Sequence, residues 1–140
     1  MSYHKTLCYG TLNPDLIYFI DNLPYAGGDI RSNEYKIRAG GTAINCAENI
    51  ATWGIDVSVL GNSIGKDALG SYLQNELTSK KINHENLLFM DYPTPTCSIF
   101  VDGDGERTIV SSGYSNCKWN DLTELDGIES LLIDRYSIPY

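Results

Sequence analysis

What the chain has little of narrows its function first. Only 10 lysines and arginines stand against 18 acidic residues, giving a net charge of −8. That balance repels phosphate backbones and argues against a nucleic-acid partner. Histidine is scarce: His4 and His84 have no partner at metal or catalytic spacing, so both are expected at the surface. The four cysteines, Cys8, Cys46, Cys97 and Cys117, form no Cys-x-x-Cys pair, which excludes the usual zinc and dithiol signatures and fits reduced thiols in a cytoplasmic protein. Long apolar runs are missing as well. The longest, Leu16 to Ile20, falls far short of the roughly 20 residues that cross a bilayer, and no basic segment followed by an apolar signal core opens the chain. Neither a membrane nor an export route is expected. No internal repeat, low-complexity tract or run of like charges interrupts the sequence.

What remains is a chain of 140 residues, the usual size of one domain and long enough to bury a core without staples. Lys5 to Leu12 reads as a strand that runs into a turn at Asn13-Pro14-Asp15, placing Asn13 and Asp15 at the strand's carboxyl end. Leu16 to Ile20 and Glu34 to Arg38 are further extended segments around a Pro24, Gly27, Gly28 loop. Ala43, Ala47, Ile50 and Ala51 recur at helical spacing up to Trp53, where Gly54 supplies a stop. Val57 to Leu60 reads as a buried strand. Asp67 can cap a helix carrying Leu69, Leu73 and Leu77 at four-residue intervals. A strand at Leu87 to Met90 ends at Pro93 and Pro95. A hairpin follows, with Cys97 to Val101 and Arg107 to Val110 flanking Asp102-Gly103-Asp104-Gly105. Leu122 to Ile128 reads as a short helix or turn, and Leu131 to Asp134 starts another core strand. The alternation implies an α/β fold with a parallel, doubly wound sheet.

Three constellations suggest chemistry. Gly40 and Gly41 before a helix let the backbone approach a ligand and leave helix amides free to donate, while Asn45 in the first turn offers a donor and an acceptor to a hydroxyl-rich molecule. Seen alone, the pair is also a plain tight turn. Asp15 at a strand's carboxyl end can accept from two adjacent hydroxyls, with Asn13 beside it; alone, Asx-Pro-Asp is also a turn. Gly61 to Asp67 fails as a phosphate-binding loop, since three residues rather than four separate its glycines and Asp67 follows the lysine. Asp102, Asp104 and Glu106 fail as a calcium loop, because Arg107 takes the place of the required glycine. The ten tyrosines, Tyr114 among them, read as amphipathic filling of core, lid or interface.

The stretch Arg38-Ala-Gly-Gly-Thr-Ala-Ile-Asn-Cys-Ala47, together with Gly10-Thr-Leu-Asn-Pro-Asp15, resembles the first half of the ribokinase-like (PfkB) family of sugar and nucleoside kinases. Gly65, Asp67 and Gly70 resemble that family's glycine turn, a scaffold element. Two departures stand out. Thr42 lies where the ribokinase branch tends to have lysine, and the interval from Gly54 to Gly65 is one residue longer than usual. The resemblance implies a partial ribokinase-like doubly wound sheet with a small β lid built from about 14–39 and 93–112, and Asn13, Asp15, Gly40, Gly41 and Asn45 as substrate-binding residues. The parent activity it implies is transfer of the ATP γ-phosphoryl to a sugar hydroxyl, with ATP and magnesium as requirements of the complete enzyme. The family's Gly-x-Gly-Asp segment is not in these residues, so no catalytic residue is assigned; neither cofactor is expected to bind this chain alone, and the chain alone is expected to be inactive. A nucleoside kinase portion and a non-catalytic sugar-binding or interaction module are the alternatives. Asp134-Arg135-Tyr136 lies where some relatives place sugar contacts, yet a matching glutamate is lacking, and these three are left unassigned. The expected partners are a sugar or nucleoside, and either a second copy through the lid or a missing C-terminal half.

Overall fold

A computed structural model describes residues 5–122 and 125–137. Its elements are β1 (Thr6–Gly10), β2 (Asn13–Phe19), β3 (Glu34–Gly40), α1 (Thr42–Thr52), β4 (Val57–Gly61), β5 (Ile64–Gly65), α2 (Ala68–Ser79), β6 (Phe89–Met90), β7 (Thr96–Val101), β8 (Arg107–Ser112) and β9 (Ser130–Ile133), with one 3-10 turn at Tyr114–Asn116. His4 lies outside the described residues, as do Thr123 and Glu124 of the expected 122–128 helix or turn. Past them the chain closes a turn, the Ile128 amide donating to the Leu125 carbonyl at 3.1 Å.

Two sheets carry the architecture. In the first, β1 lies between β4 and β9 and is parallel to both, with Cys8 opposite Val59 and Leu132. Buried on both faces, β1 reads Leu7-Cys8-Tyr9 without polar alternation, as a central parallel strand should. Helix α1 lays Ala43, Ile44 and Ala47 against β1 and β4, its two alanines letting helix and sheet backbones approach. The second sheet has the order β3-β2-β7-β8; β2 pairs parallel with β7, and the outer pairs are antiparallel. Its period-two alternation sends Asp15, Cys97 and Ser111 to one face and the row Tyr35, Tyr18 and Phe100 to the other. On that second face Tyr18 stacks on Tyr35 and on Phe100, at centroid distances of 5.7 and 5.4 Å.

Asp67 serves as expected and does more. Its Oδ1 accepts from the Gly70 amide at 2.8 Å, capping α2, while the Thr94 amide donates to Oδ2 at 2.8 Å and so fixes the entry to β7. Lys80 at the far end of α2 bridges to Glu48 of α1, tying the two helices together.

Four sequence expectations need correction. Asn13-Pro14-Asp15 is the start of β2, not a turn; Pro14 is tolerated because the β7 ladder begins only at Asp15, so no amide is needed at Pro14 on that side. The strand expected at Leu87 to Met90 shortens to β6 and pairs with β5, outside the main sheet. His84 is half-buried, its Nδ1 lying 2.9 Å from the Ile82 carbonyl. Finally, β9 is no core strand here: Leu131, Leu132 and Ile133 are 37 to 43% exposed, because β9 pairs with β1 alone.

The segment from Asn13 to Gly40 interrupts a β-α-β unit. It leaves at the end of β1 and returns at the start of α1, so Thr11 and Leu12 form a tight corner between the two sheets. Asn62, fully buried, holds that corner: the Leu12 amide donates to its Oδ1 at 2.7 Å, and its Nδ2 donates to the Leu12 carbonyl at 2.9 Å. Replacing Asn62→Ala strands both groups of Leu12 and should cost about 2–3 kcal/mol in urea unfolding, whereas Asn49→Ala on the exposed face of α1 should change stability by less than about 0.5 kcal/mol. Equal costs would contradict this role.

Candidate functional site

The corner has a second anchor, Asp134, just beyond β9. Its Oδ2 accepts from the Thr11 amide at 2.9 Å, and its Oδ1 accepts from the Tyr136 and Ser137 amides and the Ser137 hydroxyl at 2.6 to 3.0 Å. A side chain at Gly10 would collide with this carboxylate. Burial pushes the Asp134 carboxyl up, but the hydrogen bonds from Ser137, Thr11 and Tyr136 outweigh it and hold the group below the ordinary aspartate range. Thr11 relays the restraint to α1. The Thr42 amide donates to Thr11 Oγ1 at 3.0 Å, and the Ala43 amide donates to the Thr11 carbonyl at 3.2 Å. The expectation that the helix amides are free to donate to a ligand is therefore corrected for these two: the chain's own corner consumes them.

On the outer side of this corner lies a cleft of about 620 Å3. Thr11, Asn13, Asp15, Gly41, Thr42 and Asn45 form its polar wall. Cys97, Ile99, Arg107, Ile109 and Ser111, on the same face of the second sheet as Asp15, continue the lining, with Tyr114, Trp119 and Tyr136. Gly40 sits behind Asp15, and the Gly40 Cα has no room for a side chain because the Asp15 carboxylate occupies it. Gly41 turns the chain into α1 with φ +88°, and a side chain there would strike the Thr11 carbonyl. Both glycines are thus required sterically, and the cleft brings Asp15, Gly41 and Asn45 together. A smaller hollow of about 350 Å3 is formed by residues 21–31, a single and largely exposed loop.

Asp15 is built differently from Asp134. The Asn13 Nδ2 donates to its Oδ1 at 2.7 Å, and Asn13 itself is only 1% exposed. Burial nevertheless dominates and pushes the Asp15 carboxyl above the usual range, partly offset by Asn13 and by the charge of Arg38. A desolvated carboxylate with few donors of its own is poised to accept from hydroxyls brought by a ligand. Among the described residues no group of three or more His, Cys, Asp or Glu could hold a metal ion.

Sequence reasoning left Thr11, Arg107, Tyr114, Trp119 and Tyr136 out of the site. Tyr114 could not be singled out among ten tyrosines, Tyr136 stays unassigned there with Asp134 and Arg135 for want of a matching glutamate, and Thr11 acts largely through its backbone.

The model of the family described as pfkB family carbohydrate kinase matches residues 4–132. A ribokinase from Dictyostelium discoideum is 28% identical over 108 residues, covering 76% of this chain and 34% of the relative. An ATP-dependent ribose-1-phosphate kinase from Halopiger xanaduensis is 28% identical over 113 residues, 80% of this chain and 38% of that protein. Among solved structures, ribokinase from Cryptococcus neoformans in complex with ADP superposes with a TM-score of 0.79 at 27% identity, over 95% of this chain and 41% of its own. The chain spans about a third of the length of these curated relatives.

The two carboxylates titrate in opposite directions, which carbon-detected NMR can read: Asp134 below and Asp15 above about 3.9, the ordinary midpoint. The signs follow for stability. The contribution of Asp134 is complete above the unfolded-state midpoint and is lost as pH falls through its depressed value. Ionised Asp15 instead weakens the fold above the ordinary range, so Asp15→Asn should leave neutral-pH stability equal or higher while Asp134→Asn lowers it. The reverse order of the two variants in thermal unfolding would contradict this reading.

Proposed function

The chain belongs to the pfkB family of carbohydrate kinases, and on that premise we propose that it forms the polyol-gripping part of an ATP-dependent sugar kinase. The observation that supports this most directly is the Asp15 carboxylate, desolvated, oriented by Asn13, backed by Gly40 and sharing one cleft with Gly41 and Asn45. Asp15 accepts from two neighbouring sugar hydroxyls, Asn45 supplies a donor and an acceptor, and Gly41 lets the ring approach the main chain. The names of the relatives, ribokinase and ATP-dependent ribose-1-phosphate kinase, point to a pentose and to ATP. ATP, bound with magnesium, would supply the phosphoryl group. Base, anion donors and magnesium site we assign to parts of a family-length protein outside these 140 residues, so that the chain alone binds without turning over.

The second sheet is proposed to act as a lid. Its Ile99 and Ile109 face the cleft and would shed water around a bound sugar, removing the competing acceptor for the phosphoryl group. A nucleoside is the second reading, favoured by the Trp119 and Tyr136 rings, which could take the face of a base. Association is also proposed. The exposed Leu131, Leu132 and Ile133 of β9 and Ile109 and Val110 of β8 favour a second copy or the remainder of a family-length sheet as occupant, in the cytoplasm.

Titration of the chain with D-ribose, D-fructose and adenosine, followed by NMR, tests the reading. Binding of at least one should perturb Asp15, Gly41 and Asn45, and Asp15→Asn should weaken it by about 10- to 100-fold, the worth of hydrogen bonds to a charged acceptor. Tight adenosine binding without ribose binding would select the nucleoside reading. An unperturbed Asp15 with all three would overturn both.

A further inference from the structure

We infer that Tyr114 is a positioning residue for the polyol site: its hydroxyl sets the amide of Asn13, and Asn13 in turn aims Asp15. The inference rests on the reading of Asp15 as the group that grips the ligand. Tyr114 lies 101 positions along the chain from Asn13, yet its hydroxyl donates to Asn13 Oδ1 at 2.7 Å. The other end of the same amide donates to Asp15 Oδ1 at 2.7 Å and to the Pro14 carbonyl at 3.2 Å.

The direction of this relay follows from chemistry. An ionised carboxylate only accepts, so the Asn13 amide must turn its NH2 toward Asp15; its oxygen then points the other way and can be satisfied only by a donor. With Asn13 almost fully buried, water is a poor substitute. The phenol supplies that donor, and burial pushes its ionisation far upward so that the proton stays in place. The backbone is shaped for the purpose. Immediately after β8, Gly113 adopts φ +88°, where a side chain would crowd Pro95, and the 3-10 turn at Tyr114–Asn116 brings the ring back into the cleft. The Asn13 amide thereby takes one acceptor position on Asp15 Oδ1, and the remaining positions on Oδ1 and on Oδ2, the oxygen on the Gly40 side, are left for ligand hydroxyls.

The test compares the unmodified 140-residue chain with Tyr114→Phe, reading the Asp15 carboxyl midpoint by carbon-detected NMR without ligand. Asn13 holds that midpoint down, so loss of the phenol should let it rise while the Asp134 midpoint stays fixed. D-ribose, or whichever tested polyol binds, should bind about tenfold more weakly to Tyr114→Phe. An unchanged Asp15 midpoint would overturn the inference. Should Tyr114→Phe not fold, the unmodified chain still decides: a slowly exchanging Tyr114 hydroxyl proton with a cross-relaxation contact to the Asn13 side-chain amide supports the relay, and a phenol proton that exchanges as fast as that of an exposed tyrosine refutes it. The two readings fail separately, because a moved midpoint without polyol binding sinks only the ligand assignment.

Discussion

Everything around the cleft depends on the hydrogen bonding of one buried corner, the two residues between β1 and β2. Irregular backbone that turns inside a protein must find partners for every amide and carbonyl, since each orphan costs about 1–3 kcal/mol and a whole domain is stable by only about 5–15 kcal/mol. Here the partners come from three distant places. Asn62 takes both groups of Leu12, Asp134 takes the Thr11 amide, and the first turn of α1 takes the Thr11 carbonyl. One pair of residues thus joins β1, β4, β9 and α1, and the direction in which β2 departs is fixed by all of them.

That departure explains how two strands of the second sheet, β2 and β3, can be inserted into a β-α-β unit without loosening it. The segment from Asn13 to Gly40 begins and ends at the same point, with Asn13 opposite Gly40 in the ladder, so the main sheet and α1 pack as though the insertion were absent. The same geometry puts Asp15 over Gly40 and beside Gly41. Two carboxylates within this small region then acquire opposite characters. Asp134, surrounded by amides and a hydroxyl, is a structural acceptor already filled. Asp15, desolvated and holding one strong donor, still has acceptor capacity facing solvent in the cleft.

Much of this was legible in the sequence, for identifiable reasons. Local signals worked: the alanine spacing of α1, the Asp67 cap and the glycine-rich turn between β7 and β8 are each written within a dozen residues. The paired glycines were legible because Gly41 turns the chain with positive φ against the Thr11 carbonyl and Gly40 backs onto the Asp15 carboxylate. Long-range partnerships were not. Nothing near Asn62 announces that its amide will serve Leu12, and nothing near Tyr114 announces Asn13; both pairings exist only once the sheets are assembled. Asn13-Pro14-Asp15 misled for a related reason, since turn chemistry and a strand start beside an unpaired edge call for the same residues. The exposure of β9 was likewise invisible, because an apolar run of strand length reads as core whether or not a neighbour covers it.

Native-state hydrogen exchange at the amides of Thr11, Leu12, Thr42 and Ala43 tests the central claim most directly. If the corner is the shared anchor of both sheets, all four should be protected as strongly as Cys8 in the middle of β1 and should exchange only through global unfolding. Exchange of these amides at the rate of the exposed loop 21–31, while Cys8 stays protected, would show that the corner opens on its own and would contradict the account.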